Sequence, residues 1–84
     1  MAKLEKNLLD TRSFPDICRA LTDREWIELS RKIMTRAGVT RQTALNWKAG
    51  TTYPLSPIVR AEIAKIVNRY LKIKTHPQTL FSLS

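Results

Sequence analysis

Arg41, Gln42, Leu45 and Asn46 are the side chains in this chain whose types and spacing suit a chemistry, and that chemistry is the reading of nucleic-acid bases. Arginine presents a planar fork of donors that matches a guanine edge. Glutamine and asparagine present a donor and an acceptor side by side, which matches adenine. At about 100° per residue, Gln42, Leu45, Asn46 and Ala49 fall on one side of a helix, with Arg41 on the flank. Ala44 and Trp47 fall on the other side, with Thr40 and Thr51 beside them, so that side is expected to be the core face.

The helix that would carry these residues, over 40–49, lies between two glycines. Gly38 can take the left-handed conformation that ends a preceding helix. Val39 then falls where such an ending makes an apolar contact back to the last turn, near Met34. Thr40 can cap the next helix, and Gly50 can end it. The outline is helix, tight turn, short helix, the arrangement that lays one helix in the DNA major groove. Helix first turns favour Asp or Glu because the backbone dipole is positive there. Here Thr40 is followed by Arg41 and Gln42. A phosphate or a guanine edge would supply the missing negative partner.

The formal net charge is +8. Its distribution says more than its size: no acid occurs between Glu28 and Glu62, while Arg31, Lys32, Arg36, Arg41, Lys48 and Arg60 all do. An acid-free interval around the helix over 40–49 suits a polyphosphate partner. The expected phosphate contacts are Arg31, Lys32, Arg36, Lys48 and Arg60, with the hydroxyls of Thr40, Thr43 and Tyr53. An ordinary solvated surface is the alternative.

The stretch between Gly38 and Gly50 resembles the second half of the helix-turn-helix in DNA-binding domains of the lambda-repressor and Cro type. That family often reads Gly-Val-Ser, Arg, a variable residue, Thr, an aliphatic, two polar residues, Trp, Glu, Asn, Gly. Gly38, Val39, Thr40, Arg41, Thr43, Trp47 and Gly50 fall in matching places. The resemblance covers residues 30–50 and extends towards 71. Met34 stands where the family usually has a small Ala, and Lys48-Ala49 replaces Glu-Asn. Lys48 puts a cation where the family often has an anion, which favours phosphate. The resemblance implies a prokaryotic or phage setting and sequence-specific binding of duplex DNA.

The rest of the chain must build the scaffold. Its 84 residues make one small domain. With two glycines and no alternating strand pattern, an all-α bundle of four to five helices is expected, containing a lambda-repressor-like helix-turn-helix. Residues 1–12 are basic and mixed. They read as an arm or a short turn in which Leu4, Leu8 and Leu9 share a side, and Lys3, Lys6 and Arg12 can touch DNA. The DNA-binding domain spans 13–73. Ser13 caps a helix over 14–21, with Pro15 in its first turn and Phe14, Ile17 and Leu21 on one face. Thr22 and Glu25 form a capping box for a helix over 23–37. A break near Ser30 is open, since it would give the family's usual two helices before the turn. Ser56 and Pro57 open the last helix, whose stripe is Val59, Ile63, Ile66, Val67 and Tyr70. Residues 74–84 form a tail in which Leu80, Phe81 and Leu83 either pack back on the domain or meet a second subunit.

Enzyme chemistry is not expected. His76 is the only histidine, Cys18 the only cysteine, and no Cys/His cluster has metal-ligand spacing. No glycine-rich phosphate loop is present, and no carboxylate pair is brought together for acid/base work. No cofactor, metal or small-molecule substrate is expected. Cys18 reads as a small buried apolar residue. No apolar run approaches the length of a membrane span, so a cytoplasmic, nucleoid-associated protein is expected, with duplex DNA as partner and a homodimer at least on DNA. The alternatives are a helical module whose basic face meets an acidic protein, and RNA binding.

Overall fold

The computed structural model describes residues 9–81. The arm residues Lys3, Leu4, Lys6 and Leu8, and Leu83 of the tail, lie outside the described residues. The fold is a small all-α bundle, with five helices and no strand among the described residues.

Helix α1 (Phe14–Arg19) starts where the Ser13 hydroxyl accepts from the Asp16 amide. It stops two residues short of the expected 21. The amides of Ala20 and Leu21 donate to the carbonyls of Ile17 and Cys18, a tightened three-residue turn. The cause is Thr22, which must be extended (φ −73°, ψ 165°) to cap α2 (Asp23–Ala37). The capping box forms both ways: the Glu25 amide donates to the Thr22 hydroxyl, and the Glu25 carboxylate accepts from the Thr22 amide. Helix α2 runs unbroken through Ser30, whose buried hydroxyl donates to the Ile27 carbonyl at 2.9 Å. That bond stays within the helix, so the serine needs no break to be satisfied.

Gly38 ends α2 in the left-handed region (φ +67°), and its amide donates to the Met34 carbonyl. Val39 packs against the core. Thr40 caps α3 (Arg41–Ala49) by accepting from the Thr43 amide, and Gly50 ends it at φ +84°. Helix α4 (Pro57–Leu71) is capped by Ser56 and ends at Lys72, itself left-handed (φ +56°). A further short helix, α5 (Pro77–Leu80), has His76 as its cap.

Helix α3 packs against α1 and α2, and α4 packs against α2 and α5. Arg36 pairs with Glu62, and the Tyr70 hydroxyl donates to Glu28. Residue numbers thus rise along α2 as they fall along α4, so the two long helices are antiparallel. Their seam buries Leu29 and Ile33 with Ile63 and Val67, joined by Phe14 and Ile17 from α1. Of the two placements open to the tail, the structure shows the first: Leu80 and Phe81 lie in the domain's own core. The Phe81 ring sits 5.4 Å from that of Phe14, which also meets Trp26 edge-on at 6.4 Å. The tail is pinned by Asn68. Its side-chain oxygen accepts from the Thr75 amide and hydroxyl, and its amide group donates to the Thr75 carbonyl. These bonds leave the buried Thr75 fully partnered. Next to it, the Asp10 amide donates to the Lys74 carbonyl at 2.7 Å. No helix among the described residues is long and apolar enough to cross a membrane.

Candidate nucleic-acid interface

Helix α3 has one buried side and one open side. Ala44 and Trp47 are buried and fix its rotation about its own axis. Arg41, Gln42 and Ala49 are exposed, and Leu45 and Asn46 are half-buried. The four residues expected to read bases are therefore brought together on the open side. The Gln42 side-chain amide donates to the Asn46 side-chain oxygen at 3.1 Å. Each amide keeps further donor and acceptor capacity, so the pair is held in register without being used up. No acid lies in the first turn of α3, whereas α1 and α2 carry Asp16, Asp23 and Glu25 in theirs.

The residues expected to contact phosphate separate into three groups. Thr40 and Thr43 stand at the start of α3 with their hydroxyls 3.1 Å apart. Tyr53 follows α3 in the loop and is half-exposed.

Lys48 and Arg60 are turned onto the protein itself. The Lys48 ammonium lies 4.9 Å from the centre of the Trp26 ring, a cation–π contact that ties α3 to α2. Arg60 donates from Nε to the Pro54 carbonyl and from Nη2 to the Leu55 carbonyl, both at 2.7 Å. Those carbonyls sit in a loop with no helix to satisfy them, which is the physical reason the guanidinium is drawn there rather than outwards.

Lys32 and Arg36 of α2 form the third group. They line a cleft of about 470 Å³ along the α2–α4 seam, opposite Lys65 and Arg69 of α4, with Ile66 and Tyr70 also in its walls. No α3 residue lines it. Glu62 is the one acid in the walls, and it pairs with Arg36 at 3.3 Å. Arg31 is exposed elsewhere on α2. Lys65 and Arg69 were missed by the sequence reading because they follow Glu62, where the acid-free interval ends. Their signal was spacing: an i,i+4 pair of cations mirrors Lys32 and Arg36, and an antiparallel seam sets the two pairs face to face.

Two groups titrate far from their ordinary ranges. Burial pushes the Cys18 thiol up to about 12, against a small opposing effect of the Lys48 charge. Cys18 is thus a protonated, packed side chain. The hydrogen bond to Glu28 raises the Tyr70 hydroxyl to about 12. Among the described residues, no cluster of His, Cys, Asp and Glu is arranged to hold a metal. Compared with family models, with curated proteins and with solved structures, the chain matches none of them.

Proposed function

We propose that this protein binds duplex DNA sequence-specifically, as a small transcriptional regulator of prokaryotic or phage type, with α3 in the major groove. The observation that carries this is the open side of α3: exposed Arg41 and Gln42 with half-buried Asn46, free of acids, on a helix fixed in rotation by Ala44 and Trp47. Leu45 sits among them and meets the groove floor. Thr40 and Thr43 at the helix start and Tyr53 in the loop after it meet phosphates, and Arg31, Lys32 and Arg36 meet them from α2. Lys48 reaches the backbone only by leaving the Trp26 ring. A helical adaptor for an acidic protein needs cations, but it has no need of a glutamine and an asparagine one turn apart beside an arginine. The protein works in the cytoplasm on the nucleoid, and two copies act together on DNA.

The test is selection of bound fragments from random duplexes, followed by titration of the preferred site at several salt concentrations. With roughly four to six phosphates neutralised per copy, log affinity falls against log salt with a slope of about −4 to −5. No enriched sequence and no binding at low salt would end the DNA proposal.

A further inference from the structure

The cleft on the α2–α4 seam sets four cations against one acid, a net charge of +3 around about 470 Å³. Lys32 and Arg36 stand one turn apart on α2, and Lys65 and Arg69 one turn apart on α4. Like charges at that spacing destabilise a helix, and the antiparallel seam adds repulsion between the two pairs. Elsewhere the fold gives its cations internal partners: Lys48 lies over Trp26, and Arg60 holds two loop carbonyls. In the cleft, among the described residues, only Arg36 has a carboxylate within 4.0 Å. Its pair with Glu62 is a solvent-facing one, of the kind that contributes little and is readily exchanged. Glu28, on the same seam, is taken by the Tyr70 hydroxyl. Lys32, Lys65 and Arg69 are exposed and have no acid partner among the described residues.

The walls are not only charged. Ile66 and Tyr70 are half-buried and give the cleft an apolar flank. The bond from Tyr70 to Glu28 ties the ring across the seam before any ligand arrives. A volume of about 470 Å³ lies within the roughly 300–1,000 Å³ of small-molecule sites. A single inorganic anion would leave most of it empty.

We infer that this cleft binds a small organic polyphosphate of the nucleoside diphosphate class. Its phosphates match the excess positive charge, and its planar base lies against Tyr70 and Ile66. Arg36 and Arg69 can each take a phosphate through two parallel hydrogen bonds, while Lys32 and Lys65 meet it as point charges. A sugar bisphosphate has the charge but no apolar face. A duplex carries its phosphates on a convex surface and would reach the cations at the rim, not the side chains between the helices. Lys32 and Arg36 are also assigned above to the DNA backbone, so a ligand here withdraws two phosphate contacts from the duplex. That consequence rests on the DNA proposal; binding in the cleft does not.

The experiment titrates the full chain, without DNA and at low salt, with adenosine diphosphate, inorganic pyrophosphate and fructose bisphosphate, followed by calorimetry and by amide NMR spectra. Adenosine diphosphate binds once per chain with a dissociation constant on the order of 10–100 µM, at least about tenfold more tightly than the other two. The amide shifts centre on residues 32–36 and 65–70 and spare 41–46. Lys65→Gln/Arg69→Gln alters two exposed side chains outside the core, so it keeps the wild-type melting curve while weakening adenosine diphosphate at least about tenfold. No binding up to about 10 mM, shifts confined to α3, or equal affinity for pyrophosphate or fructose bisphosphate would overturn the inference. The wild-type spectra and the three ligands decide this without any substitution, whether or not the double variant folds. On the preferred duplex, saturating adenosine diphosphate weakens binding at least about tenfold; undiminished binding would overturn the competition. Failure to bind any duplex would end the DNA proposal and leave the titrations standing.

Discussion

Gln42 and Lys48 sit on the same helix and should fail in different ways when removed. Gln42 is exposed on the open side of α3 and bonded to Asn46. Gln42→Ala is expected to cost about 1–3 kcal/mol on the preferred duplex and to relax preference at one base position. The fold loses little, because no core contact goes with it. Lys48→Ala is expected to weaken preferred and scrambled duplexes nearly alike and to lower the salt slope by about one unit. The structure adds a second effect that the sequence hid. The ammonium over Trp26 means that Lys48→Ala also costs about 0.5–1 kcal/mol of stability. Binding curves on both duplexes and a melting curve for each variant separate these outcomes. Identical profiles for the two variants would remove α3 from the role of reading element. At this scale the sequence told side-chain type and helix side, but not reach. A long cation bends back onto an aromatic ring or a loop carbonyl only where the fold brings one near.

The turn elements were the most legible part of the chain because their causes are local. Caps at Ser13, Thr22, Thr40 and Ser56 act within three residues, and Gly38 and Gly50 take the left-handed conformation expected of them. The two glycines nevertheless differ. A Cβ added at Gly38 would meet nothing within 4 Å, so Gly38→Ala costs only backbone strain, about 1–2 kcal/mol. A Cβ at Gly50 would come 3.2 Å from Cγ of Pro15, so Gly50→Ala adds to the backbone strain a tight contact that the Pro15 ring must yield to, and it is expected to be the more destabilising of the two. Denaturant unfolding of both variants checks the order, and an equal or larger loss at Gly38 would contradict it. The end of α1 was not legible. Phe14, Ile17 and Leu21 keep helical spacing past the point where Thr22 must already be extended, and only the competition between the two helices decides.

The whole molecule is where the sequence was least informative. Leu80 and Phe81 are apolar at any scale of reading, but one cannot tell from spacing whether such residues cover their own core or a partner's. The antiparallel register of α2 and α4, which faces Lys32 and Arg36 with Lys65 and Arg69, is likewise a long-range fact. With Leu80 fully buried and Phe81 packed on Phe14, a chain cut after Ile73 is expected to lose its cooperative melting transition. Single losses of about 2–5 kcal/mol for Leu and 3–5 kcal/mol for Phe together approach the 5–15 kcal/mol that typically holds a domain folded. Circular dichroism during heating decides the matter. A truncated chain that melts like the full one would show the tail to be dispensable.

If α3 reads DNA as proposed, the left-handed stops at Gly38 and Gly50 also limit how much information one copy can extract from a genome. They hold α3 to nine residues, a rod of about 13 Å, which faces about four base pairs at 3.4 Å each. Four base pairs carry roughly eight bits. Choosing one address among the 10⁶ or more competing sites of a genome takes about twenty. Two copies in fixed spacing bring roughly sixteen bits. The last few must come from outside the reading helix, from flanking contacts or from the sequence-dependent stiffness of the duplex between the half-sites.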